Sequence, residues 1–178
     1  MSTAINILQD NITKIVADAI VNAANQTLLG GGGVDGAIHF MAGPELKEEC
    51  RALNGCKKGE AKITKGHNLP AKFIIHTVGP VFGYENGKEE IILRNCYNNS
   101  LRLAKTHGLR TIAFPAISTG CYRFPKDRAA KIAIKCANNF IKEFPDSLDE
   151  IIFVLFSEFD YLIYKKTYEP RNTKNRNS

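Results

Sequence analysis

The chain has 178 residues, of which 44% are hydrophobic and 24% are charged, and its formal net charge is +6. These values are typical of one globular domain with a normal core. No apolar run reaches membrane-spanning length and residues 1–10 lack the features of a signal peptide, which argues against membrane and secreted classes and predicts a soluble, cytoplasmic protein.

Strand and helix patterns alternate along the chain. In order, we expect strands at residues 5–8 and 18–23, helices at 34–42 and 45–53, strands at 60–65 and 72–78, a helix at 88–107, a strand at 111–116, a helix at 126–144, a strand at 151–156 and a helix at 158–168. The helix at 126–144 is the clearest, because its apolar residues recur at i, i+3, i+4 and i+7 until Pro145 ends it.

This alternation predicts an α/β fold with a largely parallel central sheet and helices on both faces. We expect residues 1–168 to form one domain and residues 169–178 to be a flexible, polar and basic tail. Parallel sheets bind ligands at the carboxyl ends of their strands. Three loops leave such ends, at residues 22–33, 117–124 and 156–160, so we expect these loops to meet at one site.

The most informative segment runs from Asn22 to Ile38 and contains four consecutive glycines, Gly30 to Gly33, followed by Asp35. Glycine is costly to order, and a folded protein accepts such a run where its backbone approaches a ligand closely. A helix that begins after this loop offers free N–H groups and a partial positive charge, which suit a phosphate. Asp35 beside such an anion site indicates contact with a sugar hydroxyl or a water.

A second candidate loop contains Ser118, Thr119 and Gly120, whose hydroxyl and N–H groups suit a pyrophosphate. Ordinary strand-to-helix turns share this composition, so the prediction depends on pairing this loop with the glycine run, because a diphosphate needs donors from two sides. A cluster of three phenylalanines at residues 153–159 includes core residues and one ring suited to stack on a base.

Other chemistries fit the sequence poorly. Residues 83–89 lack the glycine spacing and the Ser or Thr of a P-loop, and no nucleophile elbow is present. The cysteines and histidines of residues 50–76 lack metal-ligand spacing, so we expect no metal site. His76 lies in an apolar strand and is expected to be a core histidine with a satisfied hydrogen bond. The five cysteines are odd in number and scattered, which favours reduced thiols, and the sequence supplies no base to activate Cys121.

The chain resembles the macrodomain family, and within it the MacroD-type ADP-ribose hydrolases, from about residue 5 to residue 167. The segments that carry the resemblance are Ile12-Thr13, Ala19 to Asn25, Gly30 to Ile38, Gly59 to Ala61, His76 to Pro80 and Pro115 to Pro125, with Tyr164 at a familiar aromatic position. The block of Asn25 and residues 30–38 is highly specific, and the others are supporting. The resemblance implies a three-layer α/β/α sandwich around a mixed, largely parallel sheet, with ADP-ribose in its cleft and no cofactor.

The resemblance also implies roles for individual residues. Asn25 and Asp35 would hold the distal ribose as the catalytic pair, and Tyr122 would close over it. The implied ADP-ribose contacts are Asn11, Ile12, Ala23, Asn25, Gly32, Gly33, Val34, Asp35, Ser118, Thr119, Gly120, Cys121, Tyr122 and Phe156. Two positions depart from the family pattern: Asn11 stands where an aspartate usually accepts a hydrogen bond from the adenine amino group, and Arg123 stands where glycine is usual.

The implied reaction is hydrolysis of an ester between the distal ribose and an acyl group, which is a protein Asp or Glu side chain or acetate. Two accounts of the attacking water remain open. Either Asp35 is its general base, or a substrate phosphate activates it while Asp35 and Asn25 orient the ribose. An unshifted aspartate, with a pKa of about 4, is a weak base at neutral pH, which favours the orienting role.

The implied partners are ADP-ribose, ADP-ribosylated proteins and O-acetyl-ADP-ribose, and we expect a monomer without a membrane partner. A non-catalytic reader of ADP-ribose would need the phosphate loops, but it would not need Asn25 and Asp35 together. A protein that binds RNA or poly(ADP-ribose) would need a dense basic stripe with interleaved aromatic residues. Residues 171–178 contain three basic residues and no acid, so they carry +3 of the net +6, and the remaining body shows no such stripe.

Overall fold

The computed structural model describes residues 2–168, and the tail expected at residues 169–178 lies outside them. The strands are β1 Ala4–Gln9, β2 Ala19–Ala24, β3 Ala61–Lys65, β4 Phe73–Val78, β5 Thr111–Phe114 and β6 Glu150–Leu155. The α-helices are α1 Gly33–Ala42, α2 Pro44–Ala52, α3 Glu89–Thr106, α4 Lys126–Glu143 and α5 Glu158–Tyr168. The elements predicted from the sequence are confirmed, with ends that agree to within two residues.

Two local features differ from the expectation. Strand β5 ends at Phe114 instead of residue 116, because Pro115 has no N–H to donate to a neighbouring strand. A short 3-10 helix at Ile12–Lys14 was not predicted. The Asn11 side chain caps it, since Asn11 Oδ1 accepts hydrogen bonds from the N–H of Thr13 (3.0 Å) and from its hydroxyl (2.7 Å).

The six strands of the described chain form one mixed sheet in the order β1-β6-β5-β2-β4-β3. Neighbouring strands run parallel, except that β3 is antiparallel to β4. The prediction of a mixed, largely parallel sheet is therefore confirmed. The order places β2 between β5 and β4, so the glycine loop that follows β2 leaves from the middle of the sheet.

Helices cover both faces of the sheet, which gives the three layers. Helices α3, α4 and α5 pack over one face, where the buried residues include Val21 of β2. Helices α1 and α2 pack over the other face, where Ile38 and Leu46 contact a cluster that includes Ile20. The odd and even residues of β2 thus face opposite layers, as the two-residue repeat of a strand requires. None of the helices within residues 2–168 is long and apolar enough to cross a membrane.

Candidate active site

A cleft of about 530 Å³ opens at the carboxyl ends of β1, β5 and β6, beside the first turn of α1. The predicted contact residues that line it are Asn11, Ile12, Gly33, Val34, Thr119, Gly120 and Phe156. The predicted meeting of three loops is therefore confirmed. Asp10, Lys126 and Asp160 also line the cleft, and they were not among the ligand contacts predicted from the sequence. The other predicted contacts, namely Ala23, Asn25, Gly32, Asp35, Ser118, Cys121 and Tyr122, lie outside this lining.

Two backbone segments offer hydrogen-bond donors at the cleft. The first turn of α1 leaves N–H groups without intrahelical acceptors, and Gly33 opens this turn with a φ of +57°, a left-handed conformation that favours glycine. Within residues 2–168, no hydrogen bond uses the N–H groups of residues 119–122. Gly33 and Gly120 line the same cleft, so an anion between the two segments would meet donors from both sides.

The hydroxyl groups of the second loop point elsewhere. Ser118 Oγ is buried without a hydrogen-bond partner among the described residues, and a Cβ added at Gly79 would lie 2.0 Å from it. Thr119 Oγ1 donates to the carbonyl oxygen of Ala116 (3.1 Å). The sequence assigned both hydroxyls to a pyrophosphate, but the structure leaves that task to the backbone. The packing of Ser118 against Gly79 also explains why position 79 needs glycine.

Asn25 and Asp35 meet at the glycine loop. A Cβ added at Gly31 would lie 3.1 Å from Asp35 Oδ2 and 3.4 Å from Asn25 Nδ2, so the two polar atoms flank the same point of the backbone. Asn25 is held in place, because its Nδ2 donates to the carbonyl oxygen of Gly30 (2.9 Å) and its Oδ1 accepts from the N–H of Thr27 (3.1 Å). The structure thus brings the predicted catalytic pair together.

Asp35 is 4% exposed, and its Oδ1 accepts a hydrogen bond from Asn22 Nδ2 (2.9 Å). Burial raises the pKa of the Asp35 carboxyl above its usual value, although the Asn22 hydrogen bond and the charge of His39 oppose the rise. His39 lies one helical turn later, with its Nε2 3.4 Å from Asp35 Oδ1. Burial lowers the pKa of His39, against the pull of Asp35. His39 was missed, although its i, i+4 spacing from Asp35 on one helix predicts the contact.

His76 is a fully buried histidine, as the sequence predicted, and burial lowers its pKa to about 3. It is connected to the candidate site, because its Nδ1 lies 3.1 Å from the same Asn22 Nδ2 that donates to Asp35. Asn22 was not among the predicted site residues. No signal in one sequence separates it from Asn25, which follows three residues later.

Aromatic and charged side chains form the rim of the cleft. Phe153 is buried, whereas Phe156 and Phe159 are 80% and 65% exposed, and Phe156 lines the cleft. Lys126 Nζ donates to Asp160 Oδ1 (2.6 Å) and lies 5.3 Å from the centre of the Phe159 ring. A lysine–carboxylate pair therefore flanks the exposed aromatic surface.

Arg123 and Cys121 are exposed parts of the second loop. Arg123 has a φ of +60°, and its N–H donates to the carbonyl oxygen of Gly120 (3.0 Å). A non-glycine residue therefore holds a left-handed position in the loop. All five cysteines are free thiols, and those other than Cys121 are buried. Within residues 2–168, no group of three or more His, Cys, Asp or Glu residues is arranged to hold a metal.

The Macro domain family matches this chain over residues 21–133. A macro domain-containing protein of Ralstonia nicotianae is 56% identical over 89% of this chain and 90% of its own length. The ADP-ribose glycohydrolase MACROD2 of Mus musculus is 52% identical over 93% of this chain, which spans only 35% of that longer protein.

Solved macrodomain structures superimpose closely on this fold. The Oceanobacillus iheyensis macrodomain with ADP gives a TM-score of 0.92 at 44% identity, covering 97% of this chain and 94% of that one. The Trypanosoma brucei macrodomain in complex with ADP-ribose gives 0.87 at 46% identity, covering 91% of this chain and 68% of that one. Both likenesses extend over nearly the whole described fold.

The raised pKa of Asp35 predicts a stability change with a definite sign. The folded state holds the carboxylate less favourably than the unfolded state does, so this penalty is full above the folded pKa and disappears below the ordinary value of 3.8. We expect Asp35→Asn to raise the free energy of unfolding at pH 7, with a gain that shrinks as the pH falls towards 4. Urea unfolding of Asp35→Asn and of the wild type at pH 7 and at pH 4 measures this difference in the free energy of unfolding.

Asp18 provides a control of opposite sign. Burial raises its pKa, but hydrogen bonds from the N–H of Arg110, from Lys72 and from the N–H of Thr111 outweigh burial and hold the pKa below its usual value. Asp18→Asn should therefore lower the free energy of unfolding at pH 7, with a loss that fades as the pH falls below 4. A loss of stability in Asp35→Asn at pH 7 would contradict the account of Asp35.

Proposed function

Because this chain belongs to the Macro domain family, we propose that it binds ADP-ribose and hydrolyses the ester between the distal ribose and an acyl group. The acyl group is an ADP-ribosylated Asp or Glu of a protein, or acetate in O-acetyl-ADP-ribose. Support comes from the similar Trypanosoma brucei macrodomain, which was solved with ADP-ribose, and from the similar mouse protein named as an ADP-ribose glycohydrolase.

The observation that carries the hydrolase proposal is that Asn25 Nδ2 and Asp35 Oδ2 both approach the same point beside the Gly31 backbone. A reader of ADP-ribose needs donors for the diphosphate and an apolar surface for the base. A reader does not need a buried carboxylate at the end of the phosphate loop, and burying a carboxylate lowers the free energy of unfolding. The burial of the Asp35 carboxylate, at 4% exposure, therefore supports a chemical role.

Different parts of the cleft suit the adenine, the diphosphate and the distal ribose of the ligand. Ile12, Val34 and Leu155 supply apolar surface for adenine, and exposed Phe156 offers a ring for stacking. The N–H groups of the first turn of α1 and of residues 119–122 face the diphosphate. The distal ribose then lies near Asn25 and Asp35, and Tyr122 closes over it.

In the reaction, the oxygen of a water attacks the acyl carbon and becomes part of the new carboxylic acid. The bond between the acyl carbon and the ribose oxygen breaks, and the ribose oxygen takes up a proton from that water. Asp35 does not have the unshifted pKa expected from the sequence, because burial raises the pKa of its carboxyl, so weak basicity does not exclude Asp35 as the base. The geometry supports the orienting role on different grounds. Asn22 holds Oδ1 at 2.9 Å, which leaves Oδ2 fixed beside Asn25 to position the ribose and the water.

Removal of the carboxylate tests the assignment. Asp35→Ala should lower ADP-ribose release from a Glu/Asp-linked mono-ADP-ribosylated protein by at least about a hundredfold. Its affinity for free ADP-ribose, measured by calorimetry, should change only a few-fold, because the adenine and diphosphate contacts remain. Asp18→Asn, at the other end of β2, is the control and should release ADP-ribose like the wild type. Equal release by wild type and Asp35→Ala would refute the role of Asp35, and binding without release by either would identify a reader.

The pH dependence of kcat separates the two roles of Asp35. The orienting role predicts a profile without an ionisation attributable to Asp35 in an active enzyme. A general base would give a limb that rises through its raised pKa. Loss of such a limb in the residual activity of Asp35→Asn would show that Asp35 is the base.

Substitution of Asn11 by aspartate is expected to raise the affinity for ADP-ribose. Asn11 Oδ1 already accepts two hydrogen bonds from Thr13, so the group left for a ligand is the Nδ2 donor, which cannot accept from an adenine amino group. Asn11→Asp keeps the cap and adds a free carboxylate oxygen. We expect ADP-ribose to bind about tenfold more tightly, in line with a charged hydrogen bond.

Calorimetry with ADP-ribose measures this change, and Asn54→Asp is the control for net charge, because Asn54 is exposed and does not line the cleft. A gain in Asn54→Asp as large as in Asn11→Asp, or no gain in Asn11→Asp, would contradict the assignment of Asn11 to the adenine end.

A further inference from the structure

Three buried polar side chains lie on three neighbouring strands of the sheet. Asn22 of β2 and His76 of β4 are register partners, and Thr64 lies on the neighbouring strand β3. Asn22 and His76 are 0% exposed and Thr64 is 2% exposed. Apolar residues at such positions pack without the cost of desolvation, so a buried polar row of this kind calls for a reason beyond stability.

The hydrogen bonds of this row run in one direction. Asn22 Nδ2 carries two hydrogens and has two acceptors, Asp35 Oδ1 at 2.9 Å and His76 Nδ1 at 3.1 Å. Since Nδ1 accepts, the proton of the neutral ring is on Nε2, which lies 2.9 Å from Thr64 Oγ1 and donates to it. The Thr64 hydroxyl donates in turn to the carbonyl oxygen of Lys65 (3.2 Å). We call this series of hydrogen bonds the Asn22–His76–Thr64 relay.

The relay fixes the orientation of the Asn22 amide. A flipped amide would place its oxygen against the Asp35 carboxylate and against the unprotonated Nδ1 of His76, so both contacts oppose the flip. With Nδ2 held in place, Asp35 Oδ1 has a fixed donor. This hydrogen bond, together with His39 Nε2 at 3.4 Å from the same oxygen, opposes rotation of the carboxylate about its last side-chain torsion, which is otherwise a soft, two-fold rotation. Asp35 Oδ2 is therefore kept on the side of Gly31 and Asn25.

We propose that His76 is a positioning residue for the hydrolysis, which acts through Asn22 to hold Asp35 Oδ2 towards the ribose. This inference rests on the proposed function. His76 is fully buried, is not among the residues that line the cleft, and is not a catalytic residue. Its neutral state suits the role, because a protonated ring would carry a hydrogen on Nδ1 and could not accept from Asn22.

Two substitutions at position 76 separate the contact with Asn22 from the contacts of Nε2, which are with Thr64 and, at 3.8 Å, with Cys50 Sγ. Asparagine places its Oδ1 near the position of the histidine Nδ1, so His76→Asn keeps the acceptor for Asn22 and loses the donor to Thr64. Glutamine reaches the position of Nε2, so His76→Gln keeps the contact with Thr64 and loses the acceptor for Asn22. Both variants leave space in the same buried place and should lower Tm by similar amounts.

The positioning role predicts different kinetics for the two variants. His76→Gln should lower kcat by about tenfold or more, because the carboxylate loses its fixed orientation. His76→Asn should stay within about threefold of the wild type, and KM and the Kd for ADP-ribose should change little in both. Equal kcat values for the two variants, or losses of kcat that follow the losses in Tm, would show a purely structural role and overturn the proposal.

A double substitution tests whether His76 acts through Asn22. In an Asn22→Ala background the relay is already broken, so adding His76→Gln should change kcat less than twofold, whereas it lowers kcat about tenfold in the wild type. The same factor in both backgrounds would contradict the relay. The pair at position 76 decides the question alone if Asn22→Ala fails to fold.

The tautomer of His76 can be measured whether or not the protein has hydrolase activity. Nitrogen-15 NMR of the full chain should show a neutral ring protonated on Nε2, and a proton on Nδ1 would overturn the relay whatever the enzyme does. A wild type that releases no ADP-ribose refutes the proposed function, and the tautomer then decides the relay by itself. An active wild type with an active His76→Gln refutes the positioning role and leaves the proposed function standing.

Discussion

The hydrogen bond from Asn22 to Asp35 joins the central strand of the sheet to the first turn of α1. Gly30 to Gly33, between these two residues, carry no side chains, so this glycine run is held by the Asn25 amide, which donates to the carbonyl oxygen of Gly30, and by close backbone packing as well as by this link. A Cβ added at Gly36 would lie 2.5 Å from the carbonyl oxygen of Gly31, which shows how tightly α1 folds back on the loop. The loop is thereby ordered before any ligand arrives, and binding need not supply that entropy.

Strands and helices could be predicted because each carries a local signal. The apolar residues of α4 recur with the period of a helix that buries one face, and β6 is a continuous apolar run because both of its faces are buried. Both elements were therefore predicted correctly. The convergence of three loops also followed from the sequence, since parallel strands place their carboxyl ends at one edge. The end of β5 was missed by two residues because the limits of the apolar run were given more weight than the missing N–H of Pro115.

The direction of side chains could not be predicted in the same way. Ser118 and Thr119 are residue types that suit a phosphate loop, but their hydroxyls point elsewhere. The Ser118 hydroxyl packs against Gly79, which is distant in sequence, and the Thr119 hydroxyl donates to the carbonyl oxygen of Ala116 within the folded loop. Likewise, the pairing of Lys126 with Asp160 joins residues that are 34 positions apart, so no spacing rule suggests it. His39 is different, since its i, i+4 spacing from Asp35 on one helix was enough to predict the contact, although the sequence analysis did not name it.

The exposed thiol of Cys121 gives this protein a built-in attachment point for chemical probes. Burial raises the pKa of Cys50, Cys96 and Cys136 to about 11 and also raises that of Cys56, so these four thiols are both shielded and poorly nucleophilic in the folded state. A maleimide dye is therefore expected to react with the native chain in the loop that contributes Thr119 and Gly120 to the cleft. Because Cys121 directly follows Gly120, we expect a ligand in the cleft to change the fluorescence of the dye or the labelling rate, without the removal of any other cysteine.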